Sequence, residues 1–201
     1  MESLKPGFCT DDELWNINEK RMKRFIDNNI RPFLFVNRGY CCCDIGEANP
    51  KMEYLKKVMR INVSQIMLKD LNFSSMPIGR KFDIIFALDV IEHLQNPLWF
   101  VTQLEKILKD DGRIYAAMPY NPMWLWVKGH YFEMSPRRFE KWIVIPAGLW
   151  IMRKKSFIFT MDWRAIFVGI RPLIRVLTGE KEWQSLIRPL WYRWVIYEIR
   201  K

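Results

Sequence analysis

Short apolar runs alternate with stretches in which apolar residues recur every three or four positions. Gly39 to Ile45 (GYCCCDI) and Phe82 to Leu88 (FDIIFAL) are nearly continuous apolar runs, the pattern of strands buried on both faces. Arg113 to Met118 (RIYAAM) reads as a third strand, and Trp150 to Thr160 and Val195 to Ile199 as two more. Between them lie helix starts. Asn49-Pro50 and Asn96-Pro97 each place a capping side chain before a proline at the first helical position, where its missing N–H costs nothing. Behind Asn96, the residues Leu98, Val101, Leu104, Ile107 and Leu108 form an inner stripe, and Asp111-Gly112 ends that helix. Thr10 to Glu13 has the spacing of a capping box, with Leu14, Ile17, Met22 and Phe25 following at helical spacing. Ser135-Pro136 caps a helix through Trp142.

Strand and helix alternating at this rhythm predict a Rossmann-like α/β fold, a mainly parallel sheet with helices on both faces. We expect one domain over 1–201: an N-terminal helix at about 10–28, a core at about 39–160 and 191–201, and a helical insertion at about 161–190. In the insertion, Asp162 to Leu177 is amphipathic, with Pro172 as a kink, and a second helical stretch carries Trp183, Leu186, Ile187, Leu190 and Trp191.

Charge divides the chain. Residues 1–120 carry 17 basic and 16 acidic side chains, whereas 121–201 carry 15 basic and 6 acidic. Eight of the ten tryptophans also fall after residue 120. That basic, Trp-rich half suits an anionic partner, and its apolar density points to peripheral contact with a lipid surface ahead of RNA. The other account is a helical cover with solvated arginines. With half the residues apolar, a disordered tail is excluded. The longest uncharged stretches, Ile114 to Val127 and Trp142 to Met152, are too short to span a bilayer, and no signal peptide is evident. A cytoplasmic protein, at most peripheral at the inner membrane surface, is expected. Cys41, Cys42 and Cys43 are consecutive and must alternate across a strand, so they read as reduced core residues rather than metal ligands.

In an open parallel sheet, ligands bind beyond the carboxyl ends of the strands. The first strand ends in Asp44-Ile45-Gly46 and runs into a helix N-terminus. Asp44 offers a carboxylate, Gly46 a close backbone approach, and the helix free N–H groups; a ligand bearing both an amine and a carboxylate suits the set.

These residues carry a resemblance. Asp44-Ile45-Gly46, FDIIFALDVIEHLQNP at 82–97 and LKDDGRIYAAMPYNP at 108–122 look like a class I S-adenosylmethionine-dependent methyltransferase. Within that superfamily the chain is most similar to the quinone O-methyltransferases and the methyltransferases of cell-surface glycan pathways. HYFEMSPRRF at 130–139 is similar to a downstream motif of the same group. The resemblance implies methyl transfer from S-adenosylmethionine to a small-molecule, lipid or glycan acceptor. Asp44 and Gly46 would then border the methionine part of the cofactor, and Asp70-Leu71 the adenine. Leu88 and Asp89 would flank the reactive methyl. His130 is the candidate general base, with His93 beside it; the plainer account is that Glu92, His93, His130 and Glu133 only order loops. Glu47 and Asn49 stand where the family has glycine or a small residue, so a degenerate, non-catalytic binding module is an alternative. No metal is expected. The rival is a divalent cation on Asp89, Glu92, His93 and His130, an arrangement that partly echoes metal-dependent RNA 2'-O-methyltransferases.

Overall fold

The computed structural model describes residues 19–20, 22–68, 70–77, 79–121, 129–159 and 192–201. The capping box at Thr10 to Glu13 and the helical insertion at 161–190 lie outside the described residues. Along the described chain run β1 (Cys42–Ile45), α1 (Pro50–Met59), β2 (Val63–Ile66), β3 (Phe82–Leu88), α2 (Pro97–Ile107) and β4 (Leu108–Pro119). Then come α3 (Pro136–Phe139), which continues into a π-helical turn Glu140–Val144, β5 (Trp150–Phe159) and β6 (Tyr192–Arg200).

The six strands form one sheet in the order β2-β1-β3-β4-β6-β5. β2, β1, β3 and β4 are mutually parallel, and β6 inserts antiparallel between β4 and β5. This is the mainly parallel α/β sheet that the apolar runs predict. β3 lies near the middle and shows why a continuous run was needed. Ile85 and Ala87 face a core packed by Phe100, Val101 and Leu104 of α2 and by Phe139, Ile143 and Val144. Ile84, Phe86 and Leu88 face a second core with Met52 and Leu55 of α1 and Ile26, Ile30 and Phe33 of the N-terminal helical turns. Cys43 and Cys42 divide between the same two cores, and burial raises both thiols, Cys42 to about 11. Cys41, Cys42 and Cys43 are free thiols.

Both helix starts form as read. Asn49 Oδ1 accepts from Met52 N at 2.9 Å, and Asn96 Oδ1 from Trp99 N at 3.2 Å, each with proline at the first position. Two expectations for α2 are corrected. Leu98 is 36% exposed and lies off the inner face. Leu108 is extended and opens β4 instead of closing the helix. The cause is a tight reversal: between the pairs Phe82–Leu108 and Ile84–Arg113 the register slips, and a Cβ on Gly112 would sit 2.7 Å from Leu108 Cδ1. Only glycine lets that backbone close on itself.

Candidate active site

β1, β3 and β4 point their carboxyl ends to one edge of the sheet, and the candidate residues gather there. Asp44 is the penultimate residue of β1 and is 1% exposed. Neither of its carboxylate oxygens makes a hydrogen bond of good geometry. The amide of Gln65, its register partner on β2, leans toward it but commits Nε2 to the carbonyl of Gly46 at 2.7 Å. Desolvation therefore dominates and pushes the Asp44 carboxyl up to about 7, with the Gln65 amide and Lys56 pulling the other way. Gly46 takes φ +109°, and a Cβ there would approach Val90 Cγ2 to 3.2 Å. Beyond it the loop feeds α1. A cleft of roughly 310 Å³ opens here, lined by Gly46, Glu47, Met67, Leu68, Asp70, Leu71, Asn72 and Leu94.

Asp70 sits at the exposed rim. Its Oδ1 accepts from Asn72 N at 2.8 Å, an Asx turn that shapes the loop. Asn72 in turn accepts from Gln95 N at 2.6 Å and Asn96 N at 3.0 Å. One amide side chain thus ties the wall of the cleft to the start of α2.

Asp89, directly after β3, adopts φ +57°, a left-handed conformation costly for a residue with a Cβ. Three bonds hold it there. Its N–H donates to Ala117 O at 2.9 Å, Lys51 Nζ donates to Oδ2 at 2.5 Å, and Trp194 Nε1 donates to Oδ1 at 2.7 Å. Lys51 and Asp89 side chains are 15% and 10% exposed, so this is a largely desolvated pair. Leu88 is 2% exposed with its side chain in the core, so only its backbone faces the site.

Glu92 and His93 follow in a single 3-10 turn, Ile91–His93. His130 comes from the loop before α3. Tyr131 N at 2.7 Å and Phe132 N at 3.3 Å donate to the Glu92 carbonyl, which brings the two segments together. His130 Nδ1 lies 2.6 Å from Glu133 Oε1, and Glu133 Oε2 accepts from Asn121 N at 3.1 Å and Nδ2 at 2.7 Å. His93 Nδ1 lies 3.2 Å from Gly129 O. Chemically this edge offers an unpaired carboxylate beside a backbone loop, a cleft, and an imidazole pair backed by buried carboxylates.

The model of the family described as "Methyltransferase domain" matches residues 40–116, the stretch from β1 through most of β4. Over 46 residues, 23% of this chain, it is 39% identical to the mitochondrial ubiquinone biosynthesis O-methyltransferase of Dictyostelium discoideum, and the match spans 14% of that relative. The fold extends the likeness. A protein of Bacillus halodurans assigned as a methyltransferase matches with TM-score 0.60 at 12% identity, over 87% of this chain and 97% of its own. A SAM-dependent methyltransferase of Archaeoglobus fulgidus matches with TM-score 0.56 at 15% identity, over 92% and 99%. Phosphoethanolamine N-methyltransferase 2 of Haemonchus contortus, in complex with S-adenosylhomocysteine, matches with TM-score 0.56 at 14% identity, over 96% and 57%.

Within the matched residues, Gly46, Asp70 and Leu71 line the cleft, and Asp44, two residues before Gly46, is buried and is not among its lining residues. Asp89 does not join Glu92, His93 and His130: both its oxygens are taken by Lys51 and Trp194, so the four-residue grouping read from sequence is corrected to three. The structure adds Lys51, Gln65, Asn72 and Trp194. Gln65 and Asn72 had no local signal, since each acts on a segment distant in sequence. No helix among the described residues is long and apolar enough to cross a membrane.

Proposed function

We propose that the chain transfers a methyl group from S-adenosylmethionine to an oxygen or other nucleophile on a small-molecule, lipid or glycan acceptor. The observation that carries this reading is Asp44. A carboxylate 1% exposed with neither oxygen in a hydrogen bond of good geometry is expensive, and folds retain such groups where a ligand completes them. A cationic amine supplies that completion. The left-handed Gly46 lets the backbone come close beside it, and the N-terminus of α1 favours the ligand's carboxylate. The residues present fit S-adenosylmethionine: Asp44 and Gly46 would hold its amino acid end, and Asp70 and Leu71 its base.

The cofactor supplies a sulfonium methyl that is electrophilic without further activation. The protein's part is alignment of a nucleophile and management of its proton. Asp89, fixed by Lys51 and Trp194, walls the site beyond β3. His93 and His130, with both Nδ1 atoms held by neighbouring groups, turn the other side of each ring toward an acceptor. The quinone O-methyltransferase relative favours a small-molecule acceptor with a hydroxyl. Trp142 and Trp150, 52% and 53% exposed with Arg138 stacked on Trp142, favour one that resides at a lipid surface.

Calorimetric titration of the chain with S-adenosylmethionine and S-adenosylhomocysteine tests the reading. Micromolar binding that weakens in Asp44→Ala supports it. A folded chain that binds neither compound overturns it and leaves a non-catalytic binding module.

A further inference from the structure

We propose that Arg113, Arg153 and Arg200 form a binding site for a phosphate group, at the end of the sheet opposite the candidate active site. Strand pairing builds it. Glu198 on β6 lies in register with Tyr115 on β4 and with Arg153 on β5. Side chains two residues apart on a strand share a face. Arg113, two before Tyr115, and Arg200, two after Glu198, therefore join Arg153 on one face of the sheet. Arg113 pairs with Ile84 near the start of β3, whereas Asp89 follows the end of β3 and binds Ala117. The step from Arg113 to Ala117 along β4 is about 13 Å, so the two levels are distinct.

The charge balance carries the argument. Glu198 is buried, and all three guanidiniums converge on it. Arg153 donates to Oε2 from Nε at 2.7 Å and from Nη2, and Arg200 Nη2 donates to Oε1 at 2.8 Å. Arg113 Nε lies 3.2 Å from Oε1 but makes no hydrogen bond of good geometry. No other carboxylate among the described residues forms an ion pair with these three arginines. Three guanidinium charges against one carboxylate leave a local charge of +2. One bidentate arginine suffices for a buried glutamate, and the surplus cations repel each other until an anion joins them.

The guanidiniums are also held in place beforehand. Arg113 stacks 4.6 Å from the Phe35 ring centroid and donates Nη1 to the Phe35 carbonyl at 3.3 Å. Arg153 stacks 4.8 Å from the Phe33 ring and donates Nη2 to the Phe33 carbonyl at 3.0 Å. The Tyr115 hydroxyl accepts from Phe35 N at 2.8 Å and anchors that segment to the sheet. Arginine forks fixed in this way lose little freedom when a ligand arrives. Arg113 Nη2, Arg153 Nη1 and Arg200 Nη1 donate to no acceptor among the described residues. The Arg153 and Arg200 side chains are 50% and 33% exposed, so a ligand can reach them from solvent. A phosphate monoester is close to a dianion at neutral pH and presents several acceptor oxygens to planar forks, which matches both the charge and the donors. The site does not depend on the methyltransferase reading.

Calorimetric titration of the full-length chain with inorganic pyrophosphate, at constant ionic strength, tests it. One equivalent should bind with a submillimolar Kd. Arg153→Lys and Arg200→Lys keep the charge and lose the fork, and each should weaken binding by about tenfold or more. Arg137→Gln, at an exposed arginine elsewhere, should leave Kd within about twofold. Arg153 is half-exposed, so its variant carries the test even if Arg200→Lys folds poorly. Sedimentation with phosphatidylcholine vesicles, with and without phosphatidic acid, identifies the source of the phosphate. Retention on the phosphatidic acid vesicles that pyrophosphate displaces and Arg153→Lys abolishes marks a lipid headgroup; pyrophosphate binding without retention marks a soluble phosphate. A folded chain that binds neither probe overturns the proposal. So do lysine variants that bind as well as the parent, or an Arg137→Gln loss as large as theirs, since net charge alone would then explain the binding.

Discussion

Replacing Asp44 with asparagine should make the empty protein more stable and the site less useful. The folded carboxyl titrates at about 7, against an ordinary value of 3.8. As pH rises from about 4 to about 7, the unfolded chain releases this proton while the folded chain keeps it, so stability falls through that window and is level above it. A difference of about three pH units corresponds to roughly 4 kcal/mol. Burying an asparagine amide in the same place offsets about 1–3 kcal/mol of the gain. Asp44→Asn should therefore stabilise the ligand-free chain at pH 8 by about 1–3 kcal/mol, roughly 3–10 °C in Tm for a chain of this size. At pH 4 the gain is gone and only the amide's cost remains, so the variant should be the less stable by about 1–3 kcal/mol.

Ligand binding should move the other way. A cationic amine needs the ionised carboxylate, so the parent's affinity for S-adenosylhomocysteine should fall as acid neutralises Asp44. From pH 7.5 to 6.0 the ionised fraction drops about eightfold for a group titrating near 7, and Kd should rise by that factor. The asparagine variant should bind weakly and with no such slope. Scanning calorimetry and titration at the two pH values read both effects. Equal Tm values for parent and variant at pH 8, or the same pH slope in both proteins, would refute the argument that a desolvated, unpaired carboxylate prepares this site.

Gly46→Ala places a Cβ at φ +109° and 3.2 Å from Val90 Cγ2, so it should cost about 1–3 kcal/mol in urea unfolding and weaken S-adenosylhomocysteine binding. At Asp89, held at φ +57°, both Gly and Ala lose the bonds to Lys51 and Trp194, but only Ala bears the left-handed penalty. Asp89→Gly should be the more stable of the two by about 1 kcal/mol, and equal midpoints would count against strain there. Asn96→Ala removes the cap of α2 and should lower stability by about 1 kcal/mol, measured by denaturant midpoint. At Glu198, burial raises the carboxyl, but Arg200 and Arg153 outweigh it, and the net shift is downward from 4.5. Glu198→Gln should thus lower Tm at pH 7, with the gap narrowing as pH falls below 4.5 and the parent itself becomes protonated. A constant gap would exclude the charge as its source.

Elements whose cause is local were legible in the sequence. Asn49-Pro50 and Asn96-Pro97 start helices because capping and the proline ring act within one turn. β3 reads as a strand because both of its faces are buried, which leaves no polar position to break the run. β2 is different. Val63–Ile66 is a four-residue edge strand with three half-buried positions, and Ser64 and Gln65 carry no strand signal; its place is set by pairing with β1. Leu108 departs from the helix its sequence predicts for a related reason. Its apolar character continues the stripe of α2, but the close approach of Gly112 decides where the helix stops, and that contact exists only once β4 has formed.

The candidate site divides along the same line. Asp44 and Gly46 could be read from three adjacent residues because strand end, turn and helix start are consecutive. The state of Asp44 could not, since it depends on burial in the assembled sheet and on the amide of Gln65, from another strand, being drawn to the Gly46 carbonyl. Asp89 shows the point most fully. From the sequence it belongs with Glu92 and His93, within one turn. In the fold its carboxylate is claimed by Lys51, 38 residues before it, and by Trp194, 105 residues after it. The left-handed turn at Asp89 separates its side chain from the residues that follow, so neighbours in sequence serve different groups. Asp89 becomes part of the wall between β3 and β6, and Glu92, His93 and His130 are left as a set of three. Sequence spacing therefore identified the donor types, while the turn that sorts them, and with it the composition of any metal site, is a property of the assembled sheet.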